Sequence, residues 1–200
     1  TIADAKPNPA HFALAELEKA GFVELLITQN VDNLHQQAGS RHVIDLHGNL
    51  RDIHCLDCAE RSSRDELQQR IGELNPHLQG LVAEIRPDGD AILGDEHIGQ
   101  VKVPECITCG GVLMPEVVFF GGTVPVTRVQ YCLDALQRAD ALLVVGSSLK
   151  VYSGYRFCLR AKEWNKPIAL LNPGNTRADE LAALHLKSDA SILLPQATDL

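Results

Sequence analysis

Short apolar runs alternate along this chain with longer segments whose apolar residues recur every three or four positions, the pattern of strands and helices taking turns. Asn8-Pro9 offers an N-cap and a first helical residue, and Phe12, Ala13, Leu17 and Ala20 make an apolar stripe that ends at Gly21, so the spacing predicts a helix. A strand is expected at Glu24 to Thr28, a short helix at Val31 to Gln37 closed by Gly39, and a strand at Val43 to Leu46 that leads into His47-Gly48. Towards the C-terminus the alternation returns. It predicts a helix near Thr127 to Arg138, a buried strand at Ala141 to Val145, a helix around Arg156 to Glu163 and a strand at Ile168 to Leu171. A helix at Ala178 to Leu184 and a last short strand at Ile192 to Leu194 complete the series. Short apolar strands separated by helices specify a parallel sheet covered on both faces, a doubly wound, Rossmann-like α/β fold.

Between Asn49 and about Phe120 the alternation stops. A helix opened by the capping box Ser63-Arg-Asp-Glu66 is followed by a loop-like run from Arg86 through Gly99. Two cysteine pairs flank this stretch, Cys55-Leu-Asp-Cys58 and Cys106-Ile-Thr-Cys109, the second followed by Gly110-Gly111, whose freedom permits a sharp return. Two such turns can present four thiolates to one tetrahedral ion, so the pattern favours structural zinc over disulfides, a redox pair or unrelated core thiols. A closed four-sulfur site leaves no position for water, so this metal is expected to hold structure and to do no chemistry. The organisation expected is therefore a Rossmann-like domain of residues 1–48 and 121–200, interrupted by a small zinc-binding module at 49–120.

Composition adjusts this picture little. The 200 residues, 45% of them hydrophobic, suffice for one core and one accessory module. No apolar run is long enough for a membrane span. A formal net charge of -8 argues against a nucleic-acid reader, which normally shows a basic face. Cys132 and Cys158 fall in helical stretches as buried thiols, and free thiols beside thiolate zinc imply a reducing compartment. The chain opens at Thr1, and Ala3 to Pro9 has the character of an approach to a helix in mid-domain; a fragment is expected, in which missing targeting signals carry no weight.

In a parallel sheet, ligands bind beyond the carboxyl ends of the strands. Three strands end there in small or polar groups: Thr28-Gln-Asn-Val-Asp32, Gly146-Ser-Ser148 and Asn172-Pro-Gly174. Each alone is an ordinary turn; together they outline a nucleotide cleft.

These residues, taken with Leu46-His47-Gly48, the two cysteine turns, Pro115-Glu-Val-Val-Phe-Phe-Gly121 and Gly146-Ser-Ser-Leu-Lys-Val151 continuing through Tyr152 to Phe157, resemble the sirtuins, NAD-dependent protein-lysine deacylases. The long stretch between the cysteine pairs and Asn172-Pro-Gly-Asn-Thr-Arg177 are similar to the class II branch, which includes mitochondrial members. The resemblance implies removal of acyl groups from lysine in proteins or peptides, with NAD consumed and nicotinamide and O-acyl-ADP-ribose released. His47 would be the general base, taking a proton from a ribose hydroxyl, a task suited to an imidazole that titrates near neutral pH. Gln29, Asn30, Val31 and Asp32 would line the nicotinamide and ribose pocket, Gly146, Ser147 and Ser148 the adenosine ribose and phosphate, Asn172, Pro173 and Gly174 the ribose, and the backbone of Ala190 the adenine. The acylated peptide would add as an extended strand between Val118, Phe119, Phe120 and Gly121 and a loop of Val151 to Gly154, with Val151 and Tyr152 as its contacts.

His35 would brace the site, while His11, His42, His77, His97 and His185 read as surface or loop positions. Met114 and Gly122 depart from the family pattern, where arginine and an acidic residue are frequent. The family's glycine-rich phosphate loop and first strand would lie before Thr1, so this chain by itself is expected to bind NAD poorly and to be inactive. The compartment implied is the cytoplasm of a bacterium or the mitochondrial matrix of a eukaryote, with no nucleic-acid or membrane partner. Protein mono-ADP-ribosyl transfer from the same cleft, or a non-catalytic zinc-bearing module, are the alternative readings.

Overall fold

Asn8 caps the first helix as its sequence dictates: its side chain accepts from the backbone N–H groups of Ala10 and His11, and Pro9 fills the first turn. In the computed structural model, which describes residues 5–78, 84–85, 91–92 and 99–198, this helix, α1, runs Pro9–Lys19. The chain divides into two compact units, one of Gly48–Val117 with Val31–Asn33, the other of Lys6–Asn30, Leu34–His47 and Val118–Leu200. Among the described residues no helix is long and apolar enough to cross a membrane.

The second of these, the sheet unit, has two sets of parallel strands. Strand β1 (Leu26–Thr28) is joined through the one-turn helix α2 (Leu34–Gln37) to β2 (Val43–Asp45), and the two pair in parallel with Leu26 opposite Val43 and Thr28 opposite Asp45. Three further strands lie in parallel. In chain order these are β8 (Leu142–Val145), β9 (Ile168–Leu171) and β10 (Leu184–Leu186), with β9 in the middle. Helix α4 (Val126–Arg138) precedes β8, and α5 (Tyr152–Glu163) crosses from β8 to β9. Their apolar faces close the core: Cys132 and Leu136 from α4, Phe157, Cys158 and Ala161 from α5, and Val144, Ile168 and Leu170 from the strands beneath. Burying side chains of this size contributes roughly 1.5–3 kcal/mol each.

The C-terminal stretch departs from the expected pattern. The segment expected to be a helix at Ala178 to Leu184 forms only a short 3-10 turn, Asp179–Leu181, and Leu184–Leu186 is drawn into β10, where Leu184 pairs with Ala169. The strand expected at Ile192 to Leu194 is instead part of helix α6 (Ala190–Ala197). Its signal was the N-cap Asp189, whose carboxylate accepts from the Ser191 N–H, and Leu194 packs against Ala10 and Ala13 of α1. Short apolar runs suit helix and strand equally, and partners elsewhere in the chain decide between them.

In the cysteine unit, β3 (Gly48–Cys55), β4 (Arg61–Ser63) and β7 (Leu113–Val117) make an antiparallel sheet in the order β4-β3-β7. Ser63 caps α3 (Arg64–Leu74) through the expected box: its hydroxyl accepts from the Glu66 N–H, and the Glu66 carboxylate accepts from the Ser63 N–H. At the end of α3, buried Asn75 donates to the carbonyls of Ile71 and Lys102 and accepts from the Lys102 N–H, which ties the helix to the second cysteine turn's approach. Short strands β5 (Glu84–Ile85) and β6 (Ala91–Ile92) pair antiparallel, β6 inside the stretch expected to be loop-like and β5 just before it; the rest of Arg86 to Ile98 lies outside the described residues.

Candidate functional site

The two cysteine turns are built by the backbone before any metal is considered. Ala59 N–H donates to the Cys55 carbonyl, Gly110 N–H to that of Cys106, and Leu56 N–H to Val112 O, which fastens one turn to the other. Gly110 has φ +75, and a Cβ at Gly111 would lie 2.8 Å from the Cys55 sulfur, so both glycines are required by the turn, one for its backbone and one for room. The four sulfurs of Cys55, Cys58, Cys106 and Cys109 all lie within 4.8 Å of one another, with Cys55 to Cys109 at 3.5 Å and Cys58 to Cys106 at 3.7 Å. A tetrahedron of bonds about 2.3 Å long has edges of about 3.8 Å, so the cluster fits a zinc ion. Backbone N–H groups of Cys109 and Thr108 lower Cys106 to about 7, while contact with the Cys58 sulfur pushes Cys109 up to about 12. A divalent cation is what lets all four ionise together.

His47 lies at the carboxyl end of β2, and both of its ring nitrogens are engaged. Nδ1 is 2.9 Å from the main-chain oxygen of Gln29, just beyond β1, and Nε2 is 2.7 Å from Ser153 Oγ in the first turn of α5. A carbonyl only accepts, so Nδ1 carries the proton and Nε2 holds the lone pair of the neutral ring. That arrangement is an imidazole whose orientation is set from two sides.

The Gln29 side chain lies along α5 because residue 154 has no side chain: a Cβ on Gly154 would stand 2.7 Å from the Gln29 amide. The amide then donates to Ser147 Oγ at 3.0 Å, and the same hydroxyl accepts from Leu149 N–H. Gly146, at φ +60, turns the chain away from β8 so that Ser147 and Ser148 face this edge. Gln29, Asn30, Gly146, Ser147 and Ser148 line one cavity of about 1070 Å³. Its size has a cause. The cavity continues along β1 and β8, each of which pairs on one side only among the described residues, and it leaves Leu143 47% exposed in mid-strand.

Asn172, buried at the end of β9, donates to the Gly174 carbonyl and so shapes the Asn172-Pro173-Gly174 loop. The loop has a brace the sequence did not suggest. His185, expected at the surface, is largely buried on β10 with Nε2 3.2 Å from the Asn172 carbonyl and Nδ1 3.5 Å from Asp179. Asp179 in turn accepts from the backbone and hydroxyl of Thr176. Parallel pairing of β10 with β9 brings His185 there, and no local pattern announces it. Ala190 opens α6.

Phe119, Phe120, Val151 and Tyr152 are exposed apolar residues of the sheet unit, as a peptide-binding surface would be. The turn between Phe119 and Gly122, closed by the Gly122 N–H to Phe119 O bond, leaves 2.9 Å between a Cβ at Gly122 and that oxygen, which accounts for glycine at this position. Val31 and Asp32 belong to the cysteine unit, where Leu50 N–H donates to the Val31 carbonyl. The His35 ring lies tilted against that of His11, which was expected at the surface, with the ring centres 4.6 Å apart. His42 and His77 are exposed as expected, and His97 lies outside the described residues.

Three comparisons bear on the whole arrangement. The model of the Sir2 family matches residues 1–153. The chain is 50% identical over 190 residues to the human NAD-dependent protein lipoamidase sirtuin-4, mitochondrial, covering 95% of this chain and 60% of that protein. It is 49% identical over 192 residues to an NAD-dependent protein deacetylase of Bordetella bronchiseptica, covering 96% of this chain and 70% of that one. Among solved structures, Sir2 with a p53 peptide and NAD+ superposes with a TM-score of 0.79 at 29% identity, over 99% of this chain and 71% of the other. Sir2 bound to an acetylated peptide does so equally well, over 72% of its length.

Proposed function

The chain belongs to the Sir2 family, and from that premise we propose that the protein is an NAD-dependent protein-lysine deacylase whose general base is His47. The observation that carries this is the engagement of His47 itself: Nδ1 tied to the Gln29 carbonyl and Nε2 left as the acceptor. NAD would supply the ribose carbon that the acyl oxygen attacks as nicotinamide leaves, and the ribose hydroxyl that finally carries the acyl group. The chain's part is to hold that nucleotide, present the acyl-lysine and take one proton. Gly146, Ser147 and Ser148, with the Asn172-Pro173-Gly174 loop and the backbone of Ala190, would hold the adenosine half. Gln29 and Asn30 would hold the nicotinamide half. The exposed apolar residues Phe119, Phe120, Val151 and Tyr152, with Val118 and Gly121, would seat the peptide by strand addition.

Zinc on Cys55, Cys58, Cys106 and Cys109 holds the cysteine unit together and takes no part in the reaction, because four thiolates leave no open coordination position. Thiolates and the free thiols of Cys132 and Cys158 suit a reducing compartment, bacterial cytoplasm or mitochondrial matrix.

Nicotinamide release from NAD tests the reading, measured with acetyl-lysine and lipoyl-lysine peptides on this chain and on a form extended to the length of its relatives, each beside its His47→Ala variant. Release that depends on the acyl peptide and falls about 10²–10⁴-fold without the imidazole is expected. Release indifferent to His47→Ala, or labelled ADP-ribose on protein without deacylation, would sink it.

A further inference from the structure

Resting on that reading, the geometry points to Ser153 as the positioning residue of the base. Three observations carry this. Ser153 Oγ lies 2.7 Å from His47 Nε2, shorter than the 2.9 Å contact on Nδ1. Ser153 is only 8% exposed, so water competes poorly for that nitrogen. And because the Gln29 carbonyl fixes the proton on Nδ1, the hydroxyl has one role open to it towards the neutral ring, which is to donate.

The consequence is geometric. An imidazole held at one nitrogen can swing about that bond; held at both, it has one orientation, with the lone pair of Nε2 lying along a defined line. Val151 sets the start of α5, and Ser153 stands in its first turn, so the hydroxyl is delivered by a helix and not by a loop. The next residue, Gly154, leaves room for Gln29. Two adjacent residues thus address the two sides of one histidine, Ser153 directly and Gly154 through the residue whose carbonyl it meets. A substrate hydroxyl approaching Nε2 replaces the Ser153 donor by one of the same kind. No bond other than this hydrogen bond is exchanged until the substrate proton moves to Nε2.

Ser153→Ala removes the donor and keeps the helix; Ser153→Thr keeps the donor. Two readouts separate this inference from the proposed function. In the 15N-histidine-labelled chain, with His47 assigned by its loss in His47→Ala, the Nε2 resonance is expected to move downfield in Ser153→Ala, to stay near its original place in Ser153→Thr, and the Nδ1–H resonance is expected to hold still in both. In the active protein, kcat is expected to fall roughly tenfold in Ser153→Ala with the KM for NAD within about twofold, and to recover in Ser153→Thr, as for a reacting group displaced by a fraction of an ångström. An unmoved Nε2 resonance, or an unchanged kcat in Ser153→Ala, overturns the positioning role. Absence of nicotinamide release from the unaltered protein would instead remove the proposed reaction and this role with it, while the resonances still decide whether the hydrogen bond exists.

Discussion

Gly48 meets Glu116 so closely that a Cβ at residue 48 would stand 1.7 Å from the Glu116 main-chain oxygen, and Gly48 also has φ +78. The contact joins β3 to β7 one residue after His47, where Val118 N–H donates to the His47 carbonyl. The glycine is needed twice over, for its backbone and for its lack of a side chain.

Gly48→Ala is therefore expected to cost more than about 2 kcal/mol, the left-handed backbone accounting for ~1–2 and the collision with a carbonyl that cannot swing away for the rest. Gly21 provides the control: it has φ +85 with nothing within 4 Å of its Cβ position, so Gly21→Ala should cost only the backbone part. Equal denaturant midpoints for the two variants would contradict the close approach.

Cys58 and Cys109 are exposed, so replacing either by serine removes a ligand without emptying a core site. Either substitution should reduce bound zinc from one per chain to near none and lower the melting temperature as much as chelation does, since a structural ion contributes directly to folding. Leu56→Ser, at an exposed position between the same ligands, should do neither. Metal analysis beside thermal melts checks all three.

The six cysteines should react with a thiol reagent in two classes. Burial pushes both the Cys132 and the Cys158 thiol up to about 11, so at pH 8 they present almost no thiolate. The zinc-loaded protein should show no fast thiol, the chelated protein four, and the denatured protein six. A fast reaction at Cys132 in the native state would mean the α4–α5 core opens readily.

Asp179 sets an acid limit on the brace under Asn172. The Thr176 hydroxyl and backbone N–H, and to a smaller extent the charges of His185 and Lys187, hold its carboxyl below the usual 3.8. A depressed carboxylate contributes stability above its unfolded value, and that contribution is lost as pH falls through the folded value. Asp179→Asn should therefore melt below the parent protein at pH 5 and above, and the gap should close as the pH is taken below about 4. A gap that stays constant from pH 7 to 3 would show that the carboxylate's charge does not matter.

Local chemistry was legible in the chain wherever a motif acts over a few residues. Asn8 and Ser63 cap their helices, the cysteine turns converge on one point, and Gly110 and Gly111 serve their turn, because each depends on neighbours three or four residues away. The alternation of strands and helices was legible for the same reason, and the resemblance carried by His47 and its companions named the family. Only the tertiary structure decided the rest. Leu184–Leu186 became a strand because β9 offered a parallel edge, and Ile192 to Leu194 became helical because α1 offered a small-residue face. Ser153 stands on His47, and His185 under the Asn172 loop, only because separate elements meet there: Ser153 and His47 are 106 residues apart, and His185 and Asn172 are joined through adjacent strands. A hydrogen bond across such a distance leaves no periodicity in the sequence. It is set by the packing of α5 and β10 onto the sheet, which side-chain volumes determine collectively and no short segment records.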